Sequence, residues 1–451
     1  MEQNISYVPS KLPLYGSFDT VVVGGGTSGA VAAISAAREG LSVLVIEKNT
    51  CLGGSQTVGL ISPIMYIGIE GSPISTIDKE IRARLNKLGV CAPTPDGSYS
   101  GHFNPIFLQS VLDDMVTEGG GKILYCTSVV DVIKENDRIN YVVIYNNGGM
   151  QAVKGKCFID ATGDAELSRM CGVKYFGGNK DGLNQNVSLR FEMANVDVPA
   201  YEKHMDEICS AEGGRDAFMR DKFEKGYIRE DDIHHFQTFG IPGKPNSVAF
   251  NCPELGRSND AADPEYISDR LIAGRQAVMK LADFCKKFIH GFEKAYISQI
   301  SGMLGVRESR RIEAEYMLTV DDVYNHRKFR DGIAATNYML DAHGEKNYGK
   351  SEGTYVDIAP EEHYFELPFR CIIAKGIDNL FCIGRSAGTD FLAQSTTRIQ
   401  HTCRYMGEAA GIGCRIAIES GKPFREVDGA LVRKTMADYG CTILAKVYPD
   451  N

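Results

Sequence analysis

Six residues, Gly24-Gly-Gly-Thr-Ser-Gly29, restrict this chain more than any others. Asp19-Thr-Val-Val-Val23 before them is an apolar run of strand type, and Ala30 to Glu39 after them reads as a helix closed by Gly40. Ser42 to Glu47 is a second apolar run ending in an acid, which completes a β-α-β unit. Gly24, Gly26 and Gly29 stand in G-x-G-x-x-G register. The first glycine permits a tight turn, the second lets a pyrophosphate approach the backbone, and the third lets helix and strand pack closely. The helix start offers free N–H groups and partial positive charge to phosphates. Glu47, 23 residues after Gly24, is placed to accept from both hydroxyls of an adenosine ribose. An acid there disfavours a 2′-phosphate, so NADP is a poor first ligand. Six letters alone are a weak sign; a strand before, a helix after and an acid at this distance make it strong. The bland alternative is a Gly-rich turn in an unrelated α/β protein.

The pattern continues downstream. Residues 105–118 read as an amphipathic helix with Ile106, Leu108, Val111, Leu112 and Met115 on its apolar side. Lys122 to Thr127 reads as the next parallel strand. Val129–Lys134, Arg138–Tyr145 and Met150–Asp160 alternate with short polar turns, the signal of an antiparallel meander. Phe158-Ile-Asp160 then returns to the main sheet and meets Ala161-Thr-Gly-Asp164. From about residue 181 the nucleotide pattern stops. Within 265–299 one long helix is expected, its stripe of Ile267, Leu271, Val278, Leu281, Cys285, Phe288 and Phe292 read as core. Asn379 to Gly384 is a parallel-type strand, and Arg398 to Glu419 a final helix rich in small residues. At 451 residues the chain is too long for one ordinary core. The expected fold class is α/β. A Rossmann-like FAD/NAD(P)-binding domain with an antiparallel β meander covers 17–180 and 370–425, after a short arm over 1–17. An inserted α+β substrate domain covers 181–369, and a C-terminal tail 426–451.

The β-α-β unit does not decide between NAD and FAD. Val21 to Gly54 ends in Glu47-Lys48 and Leu52-Gly53-Gly54, which resembles the FAD-dependent oxidoreductases of the glutathione reductase structural family. In that family the Gly-Gly turn runs beside the pyrophosphate and ribityl chain. The meander followed by Ala161-Thr-Gly-Asp164 resembles the same family, as does the late return Asn379-Leu-Phe-Cys-Ile-Gly-Arg385 with Arg398 to Gly411 behind it. Arg307-Glu-Ser-Arg-Arg-Ile312 resembles a hallmark of one branch, and Asp341-Ala-His343 its Asp-x-His segment. The resemblance covers most of the chain, most weakly over 185–265. It implies FAD as cofactor. The contacts it implies are Gly24, Gly26, Thr27, Ser28, Gly29, Glu47, Lys48, Gly53, Gly54, Ser55, Val129, Ala161, Thr162, Gly163, Gly384, Arg385, Thr397, Arg398 and Ile399.

No second strand–GxGxxG–helix unit is found, so a dedicated NAD(P)H domain is not expected. Thirteen cysteines are scattered without a C-x-x-C pair, which argues against an iron–sulfur or zinc motif, and no metal is expected. Cys51 lies beside the expected flavin turn but has no near partner, and reads as an ordinary buried thiol.

Flavin reduction leaves negative charge near N1 and O2, which needs a positive group or a helix N-terminus. Thr396, Thr397, Arg398 and Ile399, taken to open the last helix, suit that role. On the substrate side the strongest cluster is Arg307, Arg310 and Arg311. In an extended run Arg307 and Arg311 share a face and Arg310 takes the other. Arginine binds carboxylates bidentately, but Glu308 and Glu313 leave a structural ion-pair network equally open. His343 is the best acid/base candidate, histidine being the side chain that titrates near neutrality. Asp341 either orients it or bonds to backbone. His401 and His102 are weaker candidates, and the Gly-rich stretch Gly97 to Gly101 beside His102 reads as a lid.

The leading expectation is a flavoenzyme that moves hydride between flavin N5 and a small organic molecule, by dehydrogenation or double-bond reduction. His343, Arg307 and Arg311 are its catalytic candidates, and a carboxylate or carbonyl is the substrate group an arginine clamp would hold. The second electron donor or acceptor is unknown. A tRNA-modifying flavoprotein and an electron-transfer subunit of a complex are the alternatives. The net charge of −9 counts against nucleic acid. The first eighteen residues lack an apolar signal region, and no run of about 18 apolar residues suggests a membrane span. Free thiols fit a cytoplasmic location, and homo-oligomer formation is left open.

Overall fold

The computed structural model describes residues 11–65, 69, 75–93, 101–345, 363–446 and 448. The apolar run before the glycines becomes β1 (Leu14–Val23), which starts inside the segment expected as an arm. Three consecutive valines are tolerated because both faces of this sheet are covered. Strand residues alternate sides. Val22, Val43 and Val45 therefore enter a core with the helices, while Val21, Val23, Leu44 and Ile46 enter another with the meander.

The helix α1 (Thr27–Arg38) leads to β2 (Val43–Ile46). A small sheet follows from β3 (Pro63–Ile64), β4 (Cys91–Pro93) and β5 (Gly101–Phe103), in the order β3-β5-β4, with α2 (Thr76–Lys87) between β3 and β4. Next come α3 (Pro105–Glu118) and β6 (Lys122–Leu124). Ile106 of α3 is exposed, unlike the rest of its expected apolar stripe. The meander is β7 (Ser128–Glu135), β8 (Arg138–Asn146) and β9 (Gly149–Asp160). β9 holds the main sheet together: it pairs parallel to β1 and antiparallel to β8, and the order is β6-β2-β1-β9-β8-β7. α4 (Glu166–Met170) and β10 (Tyr175–Gly177) close this half.

The inserted unit carries β11 (Phe191–Ala194), α5 (Val198–Ser210), α6 (Gly214–Glu224), α7 (Asp231–His234), β12 (Thr238–Ile241), β13 (Lys244–Phe250), α8 (Pro264–Phe288) and β14 (Tyr296–Ile300). The strands form a sheet in the order β12-β13-β11-β14. The long helix expected over 265–299 ends at Phe288. Ile289 is extended, Gly291 takes a left-handed φ of 92°, and Tyr296–Ile300 pairs with β11 instead. The unit has its own core between Val187 and Val306.

Beyond it come β15 (Arg310–Ile312), α9 (Val320–Tyr324), β16 (Gly332–Thr336), β17 (Phe365–Pro368) and β18 (Leu380–Cys382). Leu318, Phe329, Ile333 and Leu367 pack into the core of the nucleotide-type fold, not into that of the insert. β18 pairs parallel to β9 at Phe158–Asp160. The final helix is two helices, α10 (Phe391–Thr397) and α11 (Gln400–Ser420), broken where Ile399 is extended. Thr396 and Thr397 thus end one helix rather than open the next. Residues expected as a tail include α12 (Gly429–Asp438), whose Val432 and Met436 are buried and whose Arg433 pairs with Glu366 at 2.9 Å.

The small residues of α11 pack against α1. A Cβ on Gly407 would lie 2.4 Å from the Ser28 carbonyl oxygen, and one on Gly411 2.5 Å from the Ala36 nitrogen. Backbone atoms cannot move aside as side chains can, so Gly411→Val should destabilise by about 3 kcal/mol, the upper part of the usual overpacking range. Chemical denaturation of the variant against the parent checks this.

Candidate functional site

One cleft runs from the glycine turn to the insert, with about 1650 Å³ of space unfilled by protein, open mouth included. Its first end is built by backbone. The Gly24 N–H donates to the Ile46 carbonyl at 2.8 Å, and the Gly25 N–H to Glu47 Oε2 at 2.6 Å. Glu47 Oε1 accepts from the Asn49 N–H at 2.8 Å, so the buried carboxylate is fixed at the strand end. The Gly53 N–H donates to the Gly25 carbonyl at 2.8 Å, which ties the second glycine turn to the first.

The three motif glycines do different work. A Cβ on Gly24 would lie 2.6 Å from the Ala161 carbonyl oxygen, and one on Gly29 1.9 Å from that of Gly24. Both positions are closed by protein. A Cβ on Gly26 would meet nothing within 4 Å. The space above Gly26, at the start of α1, is therefore open for a phosphate-bearing ligand.

Of the expected contacts, Gly24, Gly26, Thr27, Ser28, Glu47, Lys48, Gly54, Ser55, Val129, Ala161, Thr162, Gly163, Gly384, Arg385, Arg398 and Ile399 line this cleft. Gly29 and Gly53 sit behind it as packing positions. Thr397 does not line it: its hydroxyl donates to the Ala393 carbonyl at 3.1 Å inside α10. Ile399 and Gln400 do line it, and they begin α11. The N-terminus expected near the flavin is thus present, shifted to Ile399, and its first N–H groups have no acceptor within the helix.

Arg385 donates to Asp164 at 2.8 Å, and Arg398 to Asp341 at 2.9 Å. Both keep a buried Nε without a partner, and Gln400 keeps its Oε1 free in the same way. Orphaned polar atoms around an open cradle fit a large polar cofactor lying along the cleft.

At the far end the cleft is lined by Ser188, Asn251, Met303, Arg307, Asp341 and His343. His343 is buried between two carboxylates. Its Nδ1 lies 2.5 Å from Glu254 Oε1, and its Nε2 3.3 Å from Asp341 Oδ1. Arg307 lies 3.5 Å from Glu254 and donates to the Asn186 carbonyl at 2.7 Å. Arg398, Asp341, His343, Glu254 and Arg307 thus follow one another in a line of contacts, with a carboxylate on each side of the imidazole. Burial pushes the Glu254 carboxyl up, but the His343 hydrogen bond and the Arg307 charge outweigh it and hold it at about 2. Asp341 is likewise held low against its burial by His343 and Arg398. His235 packs edge-on against His343, and burial lowers it to about 4. The ligand atoms of His235, Glu254 and His343 lie within 4.8 Å of one another, a spacing in which three such donors could share a metal ion. The cysteine pattern of the sequence does not reveal this trio.

The other arginines of the run point away. Arg311 donates to Glu308, to the Thr389 carbonyl and to the Gly178 carbonyl, and does not line the cleft. Arg310 pairs with Asp260. Their role is the structural network that the sequence left open, which corrects Arg311 as a catalytic candidate. His401 is buried against Thr336, and burial lowers it to about 3, so it does not face the cleft. His102 is on β5, and residues 97–100 of the expected lid lie outside the described residues. Cys51 is a buried thiol raised by burial. Sequence reasoning missed Glu254, which stands in the segment of weakest resemblance, and the Met303–Val306 wall next to the arginine run.

Two outcomes follow. Gly26→Val should fold with near-parent stability yet lose bound flavin, whereas Gly29→Val should fail to fold; visible absorbance and circular dichroism of the two variants check this. Glu254 has its folded pKa below the ordinary 4.5, so its contribution to stability is full above about pH 4.5 and is lost as pH falls toward 2. Glu254→Gln should therefore flatten the acid limb of stability against pH, read by melting at each pH.

Among curated relatives the chain is 29% identical over 187 residues to digeranylgeranylglycerophospholipid reductase 2 of Methanothermobacter thermautotrophicus, covering 40% of this chain and 48% of the relative. It is 31% identical over 163 residues to a thiamine thiazole synthase of Sulfolobus acidocaldarius, covering 33% and 57%. The chain thus spans about half the length of these curated relatives. Similar solved structures include a geranylgeranyl bacteriochlorophyll reductase-like protein of Thermoplasma acidophilum, 15% identical over 96% of this chain and 84% of that one, with a TM-score of 0.42. A p-nitrophenol 4-monooxygenase of Pseudomonas putida is 10% identical over 95% and 88%, with a TM-score of 0.49. The family model described as FAD dependent oxidoreductase matches residues 19–436. The chain therefore belongs to the FAD dependent oxidoreductase family: it is an enzyme, and FAD is its cofactor.

Proposed function

We propose that the enzyme transfers hydride between flavin N5 and a small organic substrate held against the insert. The observation that carries this reading is the continuity of the cleft: the glycine turn and Glu47 line one end, and Arg307, Asp341 and His343 the other. FAD, when bound, supplies two-electron chemistry at its N5. Ile399 and Gln400, at the start of α11 and in the cleft wall, would offer helix N–H groups to negative charge on a bound flavin. Arg307 presents a cation to a carboxylate or carbonyl of the substrate. His343 presents Nε2 beside Asp341 while Glu254 fixes the ring through Nδ1, so Nε2 is the atom placed to pass a proton. The reductase names among the relatives support double-bond reduction as the direction, with His343 giving the proton.

The branch with the Arg-Glu-Ser-Arg-Arg run is the reading for this chain within the glutathione-reductase-like group. In this reading the organisation is a discontinuous FAD domain with an inserted substrate domain, which the separate core between Val187 and Val306 supports. The second electron partner is a separate molecule: oxygen, another protein, a second substrate or diffusing nicotinamide. All thirteen cysteines are free thiols, which supports a reducing compartment such as the cytoplasm. No helix among the described residues is long and apolar enough to cross a membrane.

The test is anaerobic bleaching of the purified yellow protein against a panel of organic acids, amines and sugars, and reoxidation by unsaturated acids. His343→Ala should keep the flavin but lose turnover by roughly 10²-fold or more, the usual share of a general acid or base. Arg307→Met should raise KM more than it lowers kcat. Unchanged turnover in His343→Ala would remove that side chain from the reaction.

A further inference from the structure

Five arginines are buried among the described residues: Arg190, Arg307, Arg311, Arg404 and Arg433. Four have a carboxylate. Arg307 has Glu254, Arg311 has Glu308, Arg404 has Asp78 and Arg433 has Glu366. Arg190 has none. It is 3% exposed, and both its Nη1 and Nη2 lack any hydrogen-bond partner. Only its Nε donates, to the Phe250 carbonyl at 3.3 Å. Glu192, two residues along, is committed to Lys244 at 2.7 Å. The Phe239 ring lies 5.6 Å from the guanidinium carbon, a cation–π contact that leaves the N–H groups unmet. A buried charge without a counter-charge and with only one of its N–H groups bonded is costly, so the unmet Nη1 and Nη2 call for a group that completes them.

The surroundings point to that group. Ser188, two residues before Arg190, lines the cleft, and so do Asn251, next to the carbonyl that Arg190 holds, and Arg307. His102 of β5 lies 5.1 Å from the same Phe239 ring, centroid to centroid, and its buried Nε2 also lacks a partner. Burial lowers Arg190 to about 10, with Arg307 adding to the effect, so it remains a cation at neutral pH.

We infer that Arg190, with Phe239 and His102 beside it, binds the carboxylate of the substrate, which makes that substrate a small organic acid. This rests on the flavoenzyme reading above and names its substrate class. Arg190 is then the anchor, and Arg307 and His343 stand nearer the reacting atoms.

The experiment uses the flavin-loaded protein with formate, acetate, succinate and benzoate as probes, their neutral amides as controls, and inorganic sulfate as a further arm. Binding is read from the melting midpoint and from calorimetry. At least one carboxylate should raise the midpoint of the parent while its amide does not. Arg190→Met should keep full flavin occupancy and an unliganded midpoint equal to or above the parent's, because it removes an unmatched charge, and should bind the same carboxylate at least tenfold more weakly. Arg190→Lys should retain part of the affinity. No carboxylate binding by the yellow parent, binding by Arg190→Met within twofold of the parent, or sulfate binding as well as every carboxylate would each overturn the assignment. Failure of both variants to fold would overturn it as well, by making Arg190 structural. A colourless parent would instead strike at the flavoenzyme reading.

Discussion

The site depends on a backbone turn made rigid by its own neighbours. The N–H groups of Gly24, Gly25 and Gly53 are spent on Ile46, Glu47 and the Gly25 carbonyl, so the loop that meets the cofactor is held before any ligand arrives. Preorganisation of this kind removes ordering cost from binding. It also explains why the open position is Gly26 alone. The flanking glycines are consumed by strand and helix contacts, and only the middle one looks onto empty space.

Much of this was readable in the sequence because local rules and tertiary fold agree there. Three valines, a glycine turn and an acid at the second strand end specify β1, α1 and β2 through spacing alone, and the meander follows from its Asn/Gly turns. Errors arose where long-range contacts overrule local pattern. Tyr296–Ile300 continues a helical stripe by spacing, yet the helix ends at Phe288 with Ile289 extended, and β11 recruits the segment as a strand. The break between α10 and α11 carries no proline or glycine, so nothing local announces it. Val432 and Met436 looked like tail residues because their burial comes from the distant β16 and β17 region.

The charged groups were harder still. Arg307 and Arg311 are alike in sequence and differ in fate: one reaches the cleft and the other clamps Glu308 and two carbonyls. Glu254 and Arg190 come from the insert, 89 and 153 residues from His343. No periodicity links such positions. Only folding brings Arg398, Asp341, His343, Glu254 and Arg307 into one line in which each polar group meets the next. A line of this kind resists partial change, since removing one member leaves a neighbour buried and unanswered.

The insert keeps its apolar interior to itself. Its Phe191, Phe250, Phe284 and Phe292 cluster apart from the interior beneath the glycine turn, and it reaches the cleft mainly through rim residues such as Ser188, Asn251 and Arg307. A change of side chain at the rim therefore leaves both apolar interiors untouched, so the polar lining of the cleft can be altered without a packing cost in either core.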